Sequence, residues 1–198
     1  MGYSLSELAA DIRRELGADP AAMAALCGFV SRALRDEEFI AAHLKDRLAG
    51  SDPREILYED PQLGFCICGH VYPDKAIGSP HDHGSSWAIY GQATGVTEMT
   101  EWKIVANGGN GNPTVVEPSQ TYVMNPGDVR FYDVGVVHSP KREAPVKLIR
   151  IEGRNLDHVE RSNIKAKGPL GLGAWVPDRE LRTRPGMTSK TDLRRGSP

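Results

Sequence analysis

Between residues 56 and 152 the chain is cut into short runs of β-branched and aromatic residues, separated by Gly, Pro and Asn turns. The runs fall at 64–72, 87–91, 95–105, 115–117, 122–124, 129–132, 136–138 and 146–151. About eight short strands at this spacing predict an antiparallel sandwich or barrel. Glycine (21) and proline (14) are generous, which suits a turn-rich β-protein better than a helical bundle. The Asn- and Gly-rich stretch at 107–112 reads as a loop between two strands, and it has no phosphate-loop pattern.

The flanks read differently. In 5–48, Leu5, Leu8, Ala9, Ile12 and Leu16 recur at helical spacing, with Gly17 as a stop. A second helix fits 20–34, with Asp19 as its cap, Pro20 in its first turn, and Met23, Leu26, Cys27, Val30 and Leu34 on one face. A third is predicted over 36–48, and Gly50, Asp52 and Pro53 close the region. These helices are expected to form a layer on one face of a sheet. After Asn155 the chain turns polar and rich in Arg, Gly and Pro, which reads as an arm. The expected organisation is one domain over 1–198: N-terminal helices at 1–52, a barrel at 53–155 and a C-terminal arm at 156–198.

Charge narrows the function classes. Lys+Arg 24 against Asp+Glu 26 leaves a formal charge of −2, so nothing points to nucleic acid or an anionic membrane surface. No stretch approaches the roughly 20 apolar residues of a membrane helix. The N-terminus lacks the build of a signal peptide. Three cysteines, Cys27, Cys66 and Cys68, are not spaced as a disulfide framework. The expectation is a soluble cytoplasmic protein, with a homodimer through a barrel edge as a default.

The chemistry sits on histidines. Of the six, two fall in Pro80-His81-Asp82-His83-Gly84. In a strand, positions i and i+2 share a face, so His81 and His83 can present two imidazoles to one ion. Pro126-Gly127-Asp128 forms a turn before the strand at 129–132, and Gly135-Val136-Val137-His138 then supplies a third histidine after a glycine turn.

This arrangement resembles the two motifs of the cupin superfamily. In the first, His81-x-His83 is followed at the carboxylate position by Ala88, with Gly95 in register. In the second, Gly127, Asp133-Val134-Gly135 and His138 match, with Asp133 where proline is usual. The resemblance implies a mainly β fold, the cupin double-stranded β-helix or jelly-roll barrel, with a divalent metal on His81, His83 and His138. Most metal cupins add a glutamate, which Ala88 cannot replace; Glu98 and Glu101 read as ordinary exposed strand charges. Three histidines without the carboxylate, preceded by helices, are similar to the cysteine dioxygenase branch, as is the wording His81-Asp82-His83-Gly84 with Trp87. Against a thiol substrate, the strand at 146–152 lacks the Ser-x-His-x-Tyr set that thiol dioxygenases carry. Three-histidine cupins also include enzymes that cleave carbon–carbon bonds of diketones and hydroxyketones.

Three neutral imidazoles leave the full charge on the ion and an open face, which favours an anionic chelating substrate and O2. The expected cofactor is Fe(2+), with Zn, Ni and Mn as alternatives; zinc on the same nitrogens would keep a water and suit a hydrolase. The expected activity is an iron(II)-dependent dioxygenase acting on a small thiol of the cysteine or 3-mercaptopropionate type. The alternatives are carbon–carbon cleavage, or a non-catalytic metal- or ligand-binding cupin. If Ala88 faces the metal, alternation turns Tyr90 inward too, toward substrate or core. Arg150 interrupts an apolar run and is the candidate partner for a substrate carboxylate; it also reads as a surface charge. Arg130 is a second candidate, although Val129 and Phe131 look like the inward positions of that strand. Cys66 and Cys68 read as core.

Overall fold

The computed structural model describes residues 2–19 and 22–167. The expectations for Pro20 and for most of the C-terminal arm concern positions outside the described residues. Three helices come first: α1 (Leu5–Ala18), α2 (Met23–Leu34) and α3 (Glu37–His43). Ten strands follow: β1 (Arg54–Glu59), β2 (Cys66–Tyr72), β3 (Ala76–Ile77), β4 (Ala88–Thr94), β5 (Thr97–Ala106), β6 (Thr114–Met124), β7 (Val129–Tyr132), β8 (Val137–Arg142), β9 (Val146–Glu152) and β10 (Ile164–Ala166). They build two five-stranded sheets, ordered β1-β2-β9-β4-β7 and β10-β6-β5-β8-β3. Consecutive strands repeatedly cross between the sheets, giving the cupin-like jelly roll the motifs imply. Among the described residues, no helix is long and apolar enough to cross a membrane.

The helices form where the periodicity places them, with different ends. Ser4 starts α1 through a reciprocal capping box with Glu7. Gly17 does not stop the helix, and Asp19 closes α1 instead of opening α2. Asp36 caps α3 by accepting from the Phe39 N–H at 3.0 Å. The helix ends at His43, short of the predicted 48, because Leu44 turns inward and is 1% exposed. It lands on Gly69 of β2, where an added Cβ would meet the Leu44 side chain at 3.0 Å.

The helical layer covers the outer face of the first sheet. Ile67, Ile89, Ile149 and Ile151 of that face join Leu8, Ile12, Leu26 and Val30 in one buried cluster. Gly91 lets α2 approach: a Cβ there would lie 2.5 Å from Val30. Val129 and Phe131 also pack into this cluster, so they face the helices and not the barrel interior. Their register explains the reversal, because Phe131 pairs with Ile89 and Val129 with Gly91. The inward residue of β7 is Tyr132, in a second cluster with Ala88, Tyr90, Met99, Met124 and Leu148.

Two predicted runs merge into β6 through Pro118. The register slips there, with Glu101 opposite Gln120 and Trp102 opposite Pro118. A bulge is where a strand tolerates proline, which cannot donate to the ladder.

Candidate metal centre

His81 and His138 are drawn together by the backbone. They form an isolated antiparallel bridge, each N–H donating to the other's carbonyl at 3.0 Å. His83 follows on a loop that is pinned to the segment after β9. Asp82 is 5% exposed, and its Oδ1 accepts from the N–H groups of Gly84 at 3.1 Å and Ser162 at 3.2 Å. Gly84 has φ +58, and a Cβ there would strike the Glu160 carbonyl at 2.2 Å. The Asp and Gly of His81-Asp82-His83-Gly84 thus have structural duties, and the histidines are left for chemistry.

One ligand atom from each of His81, His83 and His138 lies within 4.8 Å of the others. His81 Nδ1 is 2.8 Å from the Ser79 carbonyl and His138 Nδ1 is 3.4 Å from that of Val136. A carbonyl only accepts, so each Nδ1 carries the proton and each Nε2 keeps a lone pair. Burial first, then the neighbouring imidazoles and Arg150, hold His83 and His138 neutral, well below the ordinary histidine range. Converging imidazoles, two with tautomers fixed by carbonyls and two held neutral by burial, are a donor set that fits a divalent metal ion.

The structure places Tyr90 and Arg150 beside this cluster. Tyr90 Oη is 3.1 Å from His83 Nε2 and 3.4 Å from His138 Nε2. Arg150 donates to it from Nη1 at 3.1 Å. Both are buried, so Arg150 is not a surface charge. Ala88 lies on the same inward face, packed with Tyr90. Arg130 is exposed and lies over the Tyr122 ring at 4.5 Å.

Several neighbours escaped the sequence reading. Glu152 is fully buried, two positions from Arg150 and cross-strand from Ala88. It is ion-paired to Arg150 and, at 2.8 Å, to Arg54, which also reaches Asp157 at 2.8 Å. Burial alone would raise the Glu152 carboxyl, but Arg150 and Arg54 outweigh it and hold it below the usual range. The i, i+2 spacing of Arg150 and Glu152 was the available signal. Tyr132 stacks on His138, with ring centroids 4.2 Å apart. Its hydroxyl is 2.7 Å from that of Tyr122, which donates to Glu101 at 2.9 Å. Glu101 is therefore no ordinary exposed charge: it pairs with His138 across β5 and β8 and ends a chain of tyrosines.

Other cysteines, tryptophans and histidines of the described residues sort plainly. Cys66 and Cys68 are buried free thiols that burial pushes up to about 12, inert as nucleophiles. Trp87 packs on the helical side with Phe131, and Trp102 donates to Ser139 at 2.9 Å. His43 contacts Phe39 on α3, and His158 sits on a 3-10 turn at Leu156–His158. His70 is buried on β2, and its Nε2 has no hydrogen-bond partner.

No family model matches the sequence, and no curated protein does. Solved structures resemble it in fold. A double-stranded β-helix protein from Klebsiella pneumoniae has 13% identity and a TM-score of 0.43, over 61% of this chain and 85% of that one. A cupin superfamily protein from Desulfitobacterium hafniense has 13% identity and a TM-score of 0.41, over 56% and 84%. KdgF from Halomonas sp. has 18% identity and a TM-score of 0.41, over 58% and 94%. The likeness is one of fold, and the reading of the site rests on the geometry above.

Proposed function

We propose that this chain is a mononuclear non-haem iron(II) dioxygenase that uses O2 on a small, anionic, metal-chelating substrate, a thiol of the cysteine or 3-mercaptopropionate type. The observation that carries the reading is the convergence of three imidazoles, two of them buried and held neutral, with Arg150 alongside. When bound, iron(II) supplies the redox chemistry that O2 requires and a positive charge that attracts a chelating anion.

The chain's own residues do the rest. His81 and His138 are held through Nδ1 by backbone carbonyls, which fixes their tautomers before any ion arrives. Arg150 is held by Glu152 and Tyr90, with its Nε unpartnered and buried. That leaves a donor for a substrate carboxylate. The inward face of β9 presents Leu148, Arg150 and Glu152 and no hydroxyl or imidazole. This favours a second reading, oxygenative cleavage of a diketone or hydroxyketone on the same metal.

The test is oxygen uptake by anaerobically iron-loaded protein across cysteine, 3-mercaptopropionate, cysteamine, diketones and hydroxyacetophenones. Uptake with a thiol, matched by sulfinate product, is the expected result. Uptake with diketones alone selects the second reading. Full iron loading with no uptake on any of them overturns both.

A further inference from the structure

We propose that Tyr90 is a fourth protein donor of this centre, its phenolate oxygen ligating the ion held by His81, His83 and His138. The inference rests on the metal-centre reading and not on oxygen chemistry.

Donor spacing carries it. With metal–ligand bonds of about 2.0–2.1 Å, adjacent donors stand about 3.3–3.4 Å apart in a tetrahedron and about 2.8–3.0 Å apart in an octahedron. Tyr90 Oη lies 3.1 Å from His83 Nε2 and 3.4 Å from His138 Nε2. The phenol oxygen thus already keeps ligand-to-ligand distance from two of the three nitrogens.

The surroundings suit a phenolate. Arg150 donates to this oxygen at 3.1 Å, so a cation stands beside the charge that ligation creates. Tyr90 is 4% exposed, which keeps water from competing for the place. It shares its inward face with Ala88, whose methyl group offers no donor of its own. Other oxygens nearby are occupied: Glu152 by Arg54 and Arg150, Glu101 by Tyr122 and Gln120, and the Tyr132 hydroxyl by Tyr122. On ligation the O–H bond breaks, its proton passes to solvent, and an oxygen lone pair forms the bond to the ion. Nothing is oxidised or reduced.

The probe is ferric iron added to the purified full chain, because a ferric phenolate has a visible charge-transfer band and a hydrogen-bonded phenol has none. The wild type should show the band. Tyr90→Phe should lose it while still holding iron, with affinity weaker by about tenfold or more. Tyr132→Phe, which removes the neighbouring phenol, should keep it. Arg150→Met should keep the band and move it to longer wavelength, since a phenolate without its cationic donor gives up charge more readily. Iron bound by the wild type without the band, or a band that survives in Tyr90→Phe, overturns the role of Tyr90 alone. Failure of the wild type to bind iron overturns the metal centre itself.

Discussion

Side chains along β4 alternate between two environments. Ile89 and Gly91 point to the helices, among Ile67, Ile149, Ile151 and Phe131. Ala88 and Tyr90 point into the barrel, where cross-strand neighbours are Glu152 and Arg150. The same backbone supports both sets. On the outer face, burial of apolar area stabilises the fold and volume decides what is allowed. On the inner face, buried charges are held by partners at a desolvation cost, and the arrangement is justified by what it can bind. Among the described residues, every buried side-chain nitrogen or oxygen without a partner belongs to His70, His83, Arg142 or Arg150. None lies on the outer face.

Paired substitutions test that division most severely. His138→Ala should lose nearly all bound metal and remain folded. Ile89→Ala should retain the metal and lose about 2–5 kcal/mol of unfolding free energy, the cost of a cavity in a packed core. Metal analysis and urea unfolding of the metal-free proteins read the two effects separately. Alanine at His43 or His158 should leave metal content unchanged. Near-stoichiometric metal in His138→Ala, or an undiminished stability in Ile89→Ala, breaks the contrast.

A smaller effect should come from Arg150, which belongs to the inner face by position and to the substrate by proposal. Arg150→Ala should raise the substrate KM by about tenfold to a hundredfold, since a charge-assisted pair contributes about 1.5–3 kcal/mol. Its metal content should not change, because Arg150 offers no lone pair to an ion. Unchanged kinetics would reduce Arg150 to a structural partner of Glu152.

The outer face was readable from residue pattern, and the inner face only in part. Helical spacing and the histidine motifs are local signals, and they placed α1, α2 and the cluster of His81, His83 and His138. The short strands β3 and β10 carry two and three residues, too few for any periodicity to register. Pro118 split β6 because a bulge depends on the partner strand, which one segment does not display. From sequence, Val129 and Phe131 read as inward because apolar residues ordinarily point to a barrel's core. Here the more apolar side of the sheet is the one beneath the helices. Glu101 and Glu152 are not legible in the sequence, because a carboxylate reads as surface until its cationic or phenolic partner is in place.

The smallest predicted effect is a pH slope, and it comes from an inner-face histidine outside the metal site. Burial first, then the charges of Arg150, Arg142 and Arg54, hold His70 well below the ordinary histidine range. The folded protein therefore keeps His70 neutral where the unfolded chain, with a pKa of about 6.5, begins to take up a proton. Below that pH the unfolded state binds more protons, so acidification lowers stability, and it does so until the folded-state pKa is reached. The contribution of His70 is at most about 1.4 kcal/mol per pH unit. His70→Gln keeps a polar side chain of similar size and removes the titration. Urea unfolding of the metal-free protein at successive pH values below about 6.5 should show a shallower loss of stability in this variant than in the wild type. Ile89→Ala should shift the whole curve down and leave its slope alone. If His70→Gln keeps the wild-type slope, the folded protein protonates His70 after all. The inner face would then be wetter than its buried, unpartnered nitrogens indicate, and its contrast with the outer face would be one of residue type without a difference in environment.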